Sequence, residues 1–271
     1  MKPKIIVVTG GAGYIGSHVV HNLLANNFAV AVIDDLSSGQ LANVNSVVRF
    51  FEGDYSDSEL WEKIIQEYAV DGVIHLAGSI DVAESFKNPN LYFENNTLKT
   101  AKLLQIMTKF EMYRLVFAST CGVYGKNQSN PLTEEIPLSP MNPYATSKAV
   151  AEDMINYHGK FGRLSSVILR FFNTCGTTSE VNVRPKIDTA LLSQMRLALV
   201  NKIPELKVFG NNFATPDGTC IRDLVHVIDV ARACVTALQN LLISPQQTKI
   251  YNIGSEHGYS IKEIIERSEQ I

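Results

Sequence analysis

Tyr144 and Lys148 stand four residues apart in the run Asn142-Pro143-Tyr144-Ala145-Thr146-Ser147-Lys148, and no other of the ten tyrosines has a lysine at that spacing. Pro143 suits the first turn of a helix, with Asn142 as its cap. Positions four apart then share one helical face, which sets the ammonium beside the phenol. A free tyrosine ionises near pH ~10 and is a poor base at neutrality. Half-ionisation near pH 7 requires a drop of about 3 units, or about 4 kcal/mol in favour of the phenolate, and a close cation is one way to supply it. The pair therefore predicts a tyrosine that moves protons. An ordinary surface helix could carry the same two residues, so the reading depends on what else the chain provides.

A second group of residues provides a redox partner. Gly10-Gly11-Ala12-Gly13-Tyr14-Ile15-Gly16 fits Gly-x-Gly-x-x-Gly from Gly11 and Gly-x-x-Gly-x-x-Gly from Gly10. Glycines at these spacings permit a tight turn, let backbone N–H groups approach a pyrophosphate, and allow close helix–strand packing. A helix N-terminus adds partial positive charge. Asp34 follows Gly16 by 18 residues, placed to accept hydrogen bonds from an adenosine ribose. With Asp35 beside it and no arginine nearby, a 2′-phosphate is disfavoured and NAD is expected over NADP. Asp54, in Glu52-Gly53-Asp54, suits an adenine amine or simply forms a turn. The chain has no Gly-x-x-x-x-Gly-Lys phosphate loop and no Gly-x-Ser-x-Gly elbow, which sets aside nucleotide hydrolysis and the common serine-hydrolase arrangement.

The elements that must position these residues are legible as alternation. Apolar β-branched runs at 5–8, 29–33, 47–51, 72–76, 115–118 and 166–169 are separated by helical stretches at 14–26, 58–68, 91–110 and 144–160. This alternation predicts an α/β chain with a parallel sheet covered on both faces. A Pro-rich loop over 130–143 delivers the chain to Tyr144. After Arg170 the rhythm weakens, with a polar stretch at 174–188, a helix at 189–201 and a loop at 210–218. A helix at 229–242 capped by Asp229, a strand at 250–252 and a last helix from Ser260 follow.

Composition narrows the partners. The chain has 271 residues, 45% hydrophobic and 19% charged, enough for one large domain or a nucleotide-binding domain plus a smaller one. A net charge of −3 leaves no footprint for nucleic acid or an anionic membrane, and no apolar run is long enough to span a bilayer. Cys121, Cys175, Cys220 and Cys234 form no Cys-x-x-Cys, and the histidines lack zinc-like spacing, so no metal site is expected. The cysteines read as reduced thiols of a cytoplasmic protein.

The glycine fingerprint, His75-Leu76-Ala77-Gly78, Ser119-Thr120 and Tyr144-x-x-x-Lys148 occur in the order of the extended short-chain dehydrogenase/reductase family, which the chain resembles over nearly its whole length. Tyr92-Phe93-Glu94-Asn95-Asn96, Leu169-Arg170-Phe171-Phe172-Asn173, Phe209-Gly210-Asn211-Asn212 and Ile221-Arg222-Asp223-Leu224-Val225-His226 are similar to its UDP-glucose 4-epimerase branch. The resemblance implies a Rossmann-type doubly wound parallel sheet over 1–173, rejoined by 219–252. A smaller substrate region over 174–218 and 253–271 would complete it. It implies NAD, held by Gly10, Gly13, Tyr14, Ile15, Gly16, Asp34, Asp54, Ala77, Asn96, Tyr144, Lys148 and Phe172.

The same resemblance implies a UDP-sugar substrate, bound by Thr120, Tyr144, Asn173 and Arg222 and epimerised at C4 through a 4-keto intermediate. Tyr144 would move the proton, Lys148 would bind the nicotinamide ribose, and Thr120 would hydrogen-bond the sugar oxygen. A homodimer pairing the helix at 144–160 with that at 91–110 is also implied. Two departures are expected to matter. Ala190-Leu191-Leu192-Ser193 replaces a segment that contacts uridine, and relatives continue past Ile271, leaving a truncated substrate region. Alternatives are another nucleotide-sugar reductase or dehydratase, or an NAD-binding protein of weak activity. Cys121-Gly122 stands where dehydratases carry acidic residues.

Overall fold

A computed structural model describes residues 1–126, 131–185, 191–245 and 247–270. The strands are β1 (Lys4–Thr9), β2 (Val30–Asp34), β3 (Arg49–Glu52), β4 (Ala69–His75), β5 (Arg114–Thr120), β6 (Ser165–Phe171), β7 (Asn173–Cys175), β8 (Ile221–His226), β9 (Lys249–Ile253) and β10 (Gly258–Ser260). The helices are α1 (Tyr14–Ala25), α2 (Ser58–Glu67), α3 (Val82–Lys87), α4 (Pro89–Tyr92), α5 (Lys99–Lys109), α6 (Pro143–Phe161), α7 (Leu191–Leu199), α8 (Val227–Ile243) and α9 (Ile261–Ser268).

Seven strands pair in parallel in the order β3-β2-β1-β4-β5-β6-β9. Successive side chains along a strand point to opposite faces, so two cores form. Val8, Val32, Val116 and Leu169 pack on one face with Leu23 of α1 and Leu238 of α8. Val7, Ile33, Phe117 and Ile168 pack on the other with Trp61 of α2, Leu103 of α5 and Ile155 of α6. Burial on both faces explains why these strands read as unbroken apolar runs. The winding direction reverses between β1 and β4, and the crevice outside the carboxyl ends at such a point is where open α/β sheets bind ligands.

The C-terminal half departs from the expected outline. β8 pairs with β7 in parallel and with β10 in antiparallel, making a small second sheet. Over 219–252, therefore, α8 and β9 join the large sheet while the strand of 221–226 does not. Its sequence, Ile221-Arg222-Asp223-Leu224-Val225-His226, has neither the alternation nor the apolar run that marks a strand. Met195, Ile261 and Ile264 bring α7 and α9 together over this sheet. The helix expected at 229 starts at Val227 instead. Its cap is His226, whose Nδ1 accepts from the Ile228 N–H at 3.2 Å, and Asp229 lies in the first turn, paired with Arg232 at 3.3 Å. The stretch at 91–110 is not one α-helix either, since a π-helical turn over Phe93–Leu98 separates α4 from α5. Thr189 and Ala190 lie outside the described residues, as do Asn130 and Asp188.

α6 begins as its sequence predicts. Asn142 is extended, its side chain accepts from the Ala145 N–H at 2.8 Å, and Pro143 opens the helix. Asn142→Ala is expected to lower the unfolding free energy by about 1 kcal/mol in urea denaturation, the usual value of such a cap.

Candidate active site

The glycine turn lies against the loop after β4. Gly10 has φ +74°, and a Cβ there would sit 2.7 Å from the Ala77 nitrogen, so the two loops cross on bare backbone. A Cβ on Gly16 would come within 2.1 Å of the Gly10 carbonyl oxygen. Gly13 occupies the cap position of α1, so no side chain caps the helix start. Helix geometry leaves the N–H groups of Tyr14, Ile15 and Gly16 without intrahelical acceptors. Asp34 stands beside this cradle, its Oδ2 accepting from the Ala12 N–H and its Oδ1 from the Leu36 N–H, both at 2.9 Å. Backbone donors and a fixed carboxylate of this kind fit the pyrophosphate and ribose of a dinucleotide.

The other residues expected around the cofactor divide by role. Asn96 is buried in the π turn, where its Oδ1 accepts from the Ser79 N–H at 2.8 Å and its Nδ2 donates to Ser79 O and Ser147 Oγ. It fixes the loop after β4 against α6. Asp54 accepts from the Ser56 N–H at 2.8 Å and pairs with Lys99 at 2.8 Å. Burial pushes its carboxyl up, but Lys99 and Ser56 more than reverse this. The Tyr14 hydroxyl donates to Gly176 O at 2.6 Å, tying α1 to the segment after β7; burial, with Cys175 adding, raises its pKa. Phe172 packs against the core and donates its N–H to Ile253 O. His75 bridges Thr9 and Thr100, and burial keeps it neutral well below its ordinary pKa.

Three consecutive residues at the end of β5 hold three side chains on one face of α6. Thr120 ends β5 near the Tyr144 phenol and lowers its pKa. The Gly122 N–H donates to Thr120 Oγ1 at 3.1 Å, which leaves the hydroxyl proton free to point at that phenol. The carbonyl of Ala118 accepts from Lys148 Nζ at 2.9 Å. Ser119 Oγ donates to Glu152 Oε1. Tyr144, Lys148 and Glu152 are spaced four apart, so this is the period of the helix meeting the end of a strand.

The electrostatics differ from the expectation that Lys148 pulls the phenol down. Lys148 is 3% exposed and directed at Ala118 O, with its ammonium 4.8 Å from the centre of the Phe117 ring. Burial pulls its pKa down to about 8, with Glu152 opposing. Burial likewise pushes the Tyr144 phenol up to about 12, and Thr120 is the group that opposes it. Sequence spacing shows which side chains share a face but not how dry that face is, and desolvation is the larger effect here.

Two of the residues expected to touch the sugar nucleotide, Asn173 and Arg222, lie on the small sheet. Burial pushes the Cys121 thiol up to about 11, with the Arg222 charge lowering it and that of Asp223 raising it. The Arg222 side chain is exposed and donates to Ile221 O at 2.9 Å. Asn173 opens β7 and pairs in register with Leu224. Sequence reasoning missed Glu152, although the spacing that links Tyr144 to Lys148 also reaches it.

Residues 6–254 match the NAD dependent epimerase/dehydratase family. The chain belongs to this family. Within it, the chain is 39% identical over 272 residues to the UDP-glucose 4-epimerase of Azospirillum brasilense, an alignment covering 100% of this chain and 78% of the relative. Among solved structures, UDP-glucose 4-epimerase from Brucella ovis in complex with NAD superimposes with a TM-score of 0.94 at 34% identity, covering 99% of this chain and 82% of that one. A Stenotrophomonas maltophila UDP-glucose-4-epimerase with bound NAD and formylated UDP-arabinopyranose gives 0.93 at 32% identity, covering 98% and 82%. For an epimerase/dehydratase chain, the glycine cradle and Asp34 are the features of this structure that fit NAD.

A buried lysine lowered to about 8 destabilises the fold while it remains charged. Unfolded lysine stays protonated up to about pH 10.4, so the penalty is fully present below pH 8 and fades as pH rises between the two values. Lys148→Met is therefore expected to raise the unfolding free energy at pH 7 by about 3 kcal/mol at most, with the gain shrinking towards pH 10. Denaturation curves at pH 7, 8, 9 and 10 check both the sign and the trend.

Proposed function

We propose that this chain is an NAD-dependent UDP-sugar 4-epimerase that interconverts UDP-glucose and UDP-galactose. The observation that carries the reading is Lys148, buried on the face of α6 that also bears Tyr144 and bonded to the end of β5 at Ala118 O, beside a glycine cradle at the carboxyl ends of the strands. Tyr144 accepts the proton of the sugar 4-hydroxyl in one half of the reaction and returns it to the same oxygen in the other. NAD, when bound, supplies the hydride acceptor and donor at C4, so the cycle consumes none of it. A phenol held near 12 is suited to giving the proton back. For the accepting half, Thr120 favours the phenolate by donating to it, and Lys148, one helical turn on, is the buried cation. Asn173 and Arg222 are assigned to the diphosphate, where a guanidinium can bind two oxygens at once. The cofactor roles of Gly10, Gly13, Tyr14, Ile15, Gly16, Asp34, Asp54, Ala77, Asn96, Tyr144, Lys148 and Phe172 belong to the same proposal.

We further propose a cytoplasmic homodimer. The four cysteines are free, and no helix among the described residues is long and apolar enough to cross a membrane. α5 and α6 support the dimer, because Val150, Tyr157 and Phe161 are exposed on α6 and Leu98 lies just before α5. Tyr157 and Phe161 stack with ring centres 5.8 Å apart, forming an apolar ledge on that surface.

Incubation with UDP-galactose and NAD is expected to yield UDP-glucose without net NADH absorbance. Stoichiometric NADH change would instead identify a dehydrogenase or reductase. Tyr144→Phe is expected to lower turnover by about 10²–10⁴-fold, the usual share of a positioned acid–base group, while NAD binding stays within a few-fold. Undiminished turnover in that variant contradicts the assignment.

A further inference from the structure

Of the three α6 side chains held by the end of β5, Tyr144 and Lys148 have proposed chemical roles and Glu152 has none. Glu152 is fully buried, and a carboxylate in that position is costly unless compensated. Its partner is Arg170 of β6, itself 3% exposed, whose Nη2 lies 2.6 Å from Oε2 while its Nε donates to both oxygens at 3.1 and 3.2 Å. Arg170 pairs in register with Ser119 on one side and Asn252 on the other, so a polar row crosses β5, β6 and β9 beneath α6.

The row reaches every segment that presents a reacting group. Arg170 Nη1 donates to the Tyr124 hydroxyl at 2.8 Å, and that hydroxyl donates to Asn252 Oδ1 at 2.7 Å. Tyr124 closes the short turn that follows Thr120. Asn252 donates through Nδ2 to Leu132 O at 3.0 Å and through its N–H to Glu134 Oε1 at 2.7 Å, both in the segment leading to Tyr144. A pair this deeply buried is a poor source of net stability, because well-packed apolar residues often do as well. Position is what it supplies instead.

We infer that the Glu152–Arg170 pair is a positioning element of the candidate site, setting where Lys148 and Thr120 stand relative to Tyr144. Its kinetic consequence rests on the 4-epimerase reading, while its structural consequence does not. The charged and titratable groups around Lys148 are Glu152 and Tyr144 on its own helix, Arg170 from β6 and neutral His75 from β4. Glu152 is the group that opposes the effect of burial on the ammonium.

The double variant Glu152→Gln/Arg170→Met removes both charges together and avoids the stranded charge that either single change leaves. Two readouts are taken on the purified full chain: turnover of UDP-galactose, and the titration of Lys148 followed by NMR of lysine labelled at the ε-carbon, assigned by comparison with Lys148→Met. A folded double variant is expected to keep KM within a few-fold and to lose about 100-fold in kcat, the scale of a small misplacement. Lys148 is expected to titrate about one pH unit lower than in the wild type. An unchanged kcat together with an unchanged Lys148 titration overturns the inference. Should the double variant fail to fold, Glu152→Asp keeps both charges but draws the carboxylate back by one carbon. It is then expected to lower kcat about tenfold or more at unchanged KM, and full activity overturns the inference. If the wild type itself shows no epimerisation, the Lys148 titration alone decides. A Lys148 titration that falls in the double variant, or in Glu152→Asp where the double variant does not fold, then supports the inference, and an unmoved one overturns it, so the two readings fail separately.

Discussion

The end of β5 has to keep a charged lysine and a carboxylate out of water beside a half-buried phenol, and the architecture of the site follows from how it compensates each of them. Lys148 receives a carbonyl oxygen and an aromatic face, Glu152 receives a serine and an arginine, and Tyr144 receives a threonine. Buried polar groups are tolerated only when their bonds are met, and each bond met here also fixes a distance. Three consecutive strand residues meeting three side chains one helical turn apart leave α6 little freedom to slide or rotate on the sheet. The groups proposed to react are thus positioned by the need to satisfy their neighbours.

The sheet determines where this arrangement faces. Winding reverses between β1 and β4, and the glycine turn after β1 crosses the loop after β4 on bare backbone. Asn96 holds that second loop to α6 through Ser79 and Ser147. The nucleotide cradle and the Tyr144 face are therefore parts of one rigid construction. β7, β8 and β10 form a separate small sheet, and the Arg222 charge on it acts on the Cys121 thiol.

Much of this was legible in the residues. Asn142-Pro143 marks the start of α6 without ambiguity, and the helical period then puts Tyr144 and Lys148 on one face. The glycine spacing locates the turn, and apolar runs locate the parallel strands because both faces of that sheet are covered. What stayed illegible depends on tertiary surroundings. Nothing in Tyr144-x-x-x-Lys148 tells that Lys148 reaches for Ala118 O, or that desolvation outweighs charge proximity at the phenol. Glu152 and Arg170 lie 18 residues apart in sequence, and only the packing of α6 on the sheet makes them neighbours. β7 and β10 are three residues each, too short for any period, and β8 mixes charge with apolar residues. At the start of α8 the usual cap preference favours Asp229, but His226 is where the chain leaves its extended conformation.

The central claim is that these residues serve a reversible oxidation at a single sugar carbon. It is tested most directly with UDP-galactose carrying deuterium at C4. The account predicts UDP-glucose that keeps its deuterium at C4, because the hydrogen leaves as hydride and returns to the same carbon without meeting solvent. Loss of the label to water during turnover, or its accumulation in free NADH, would contradict it.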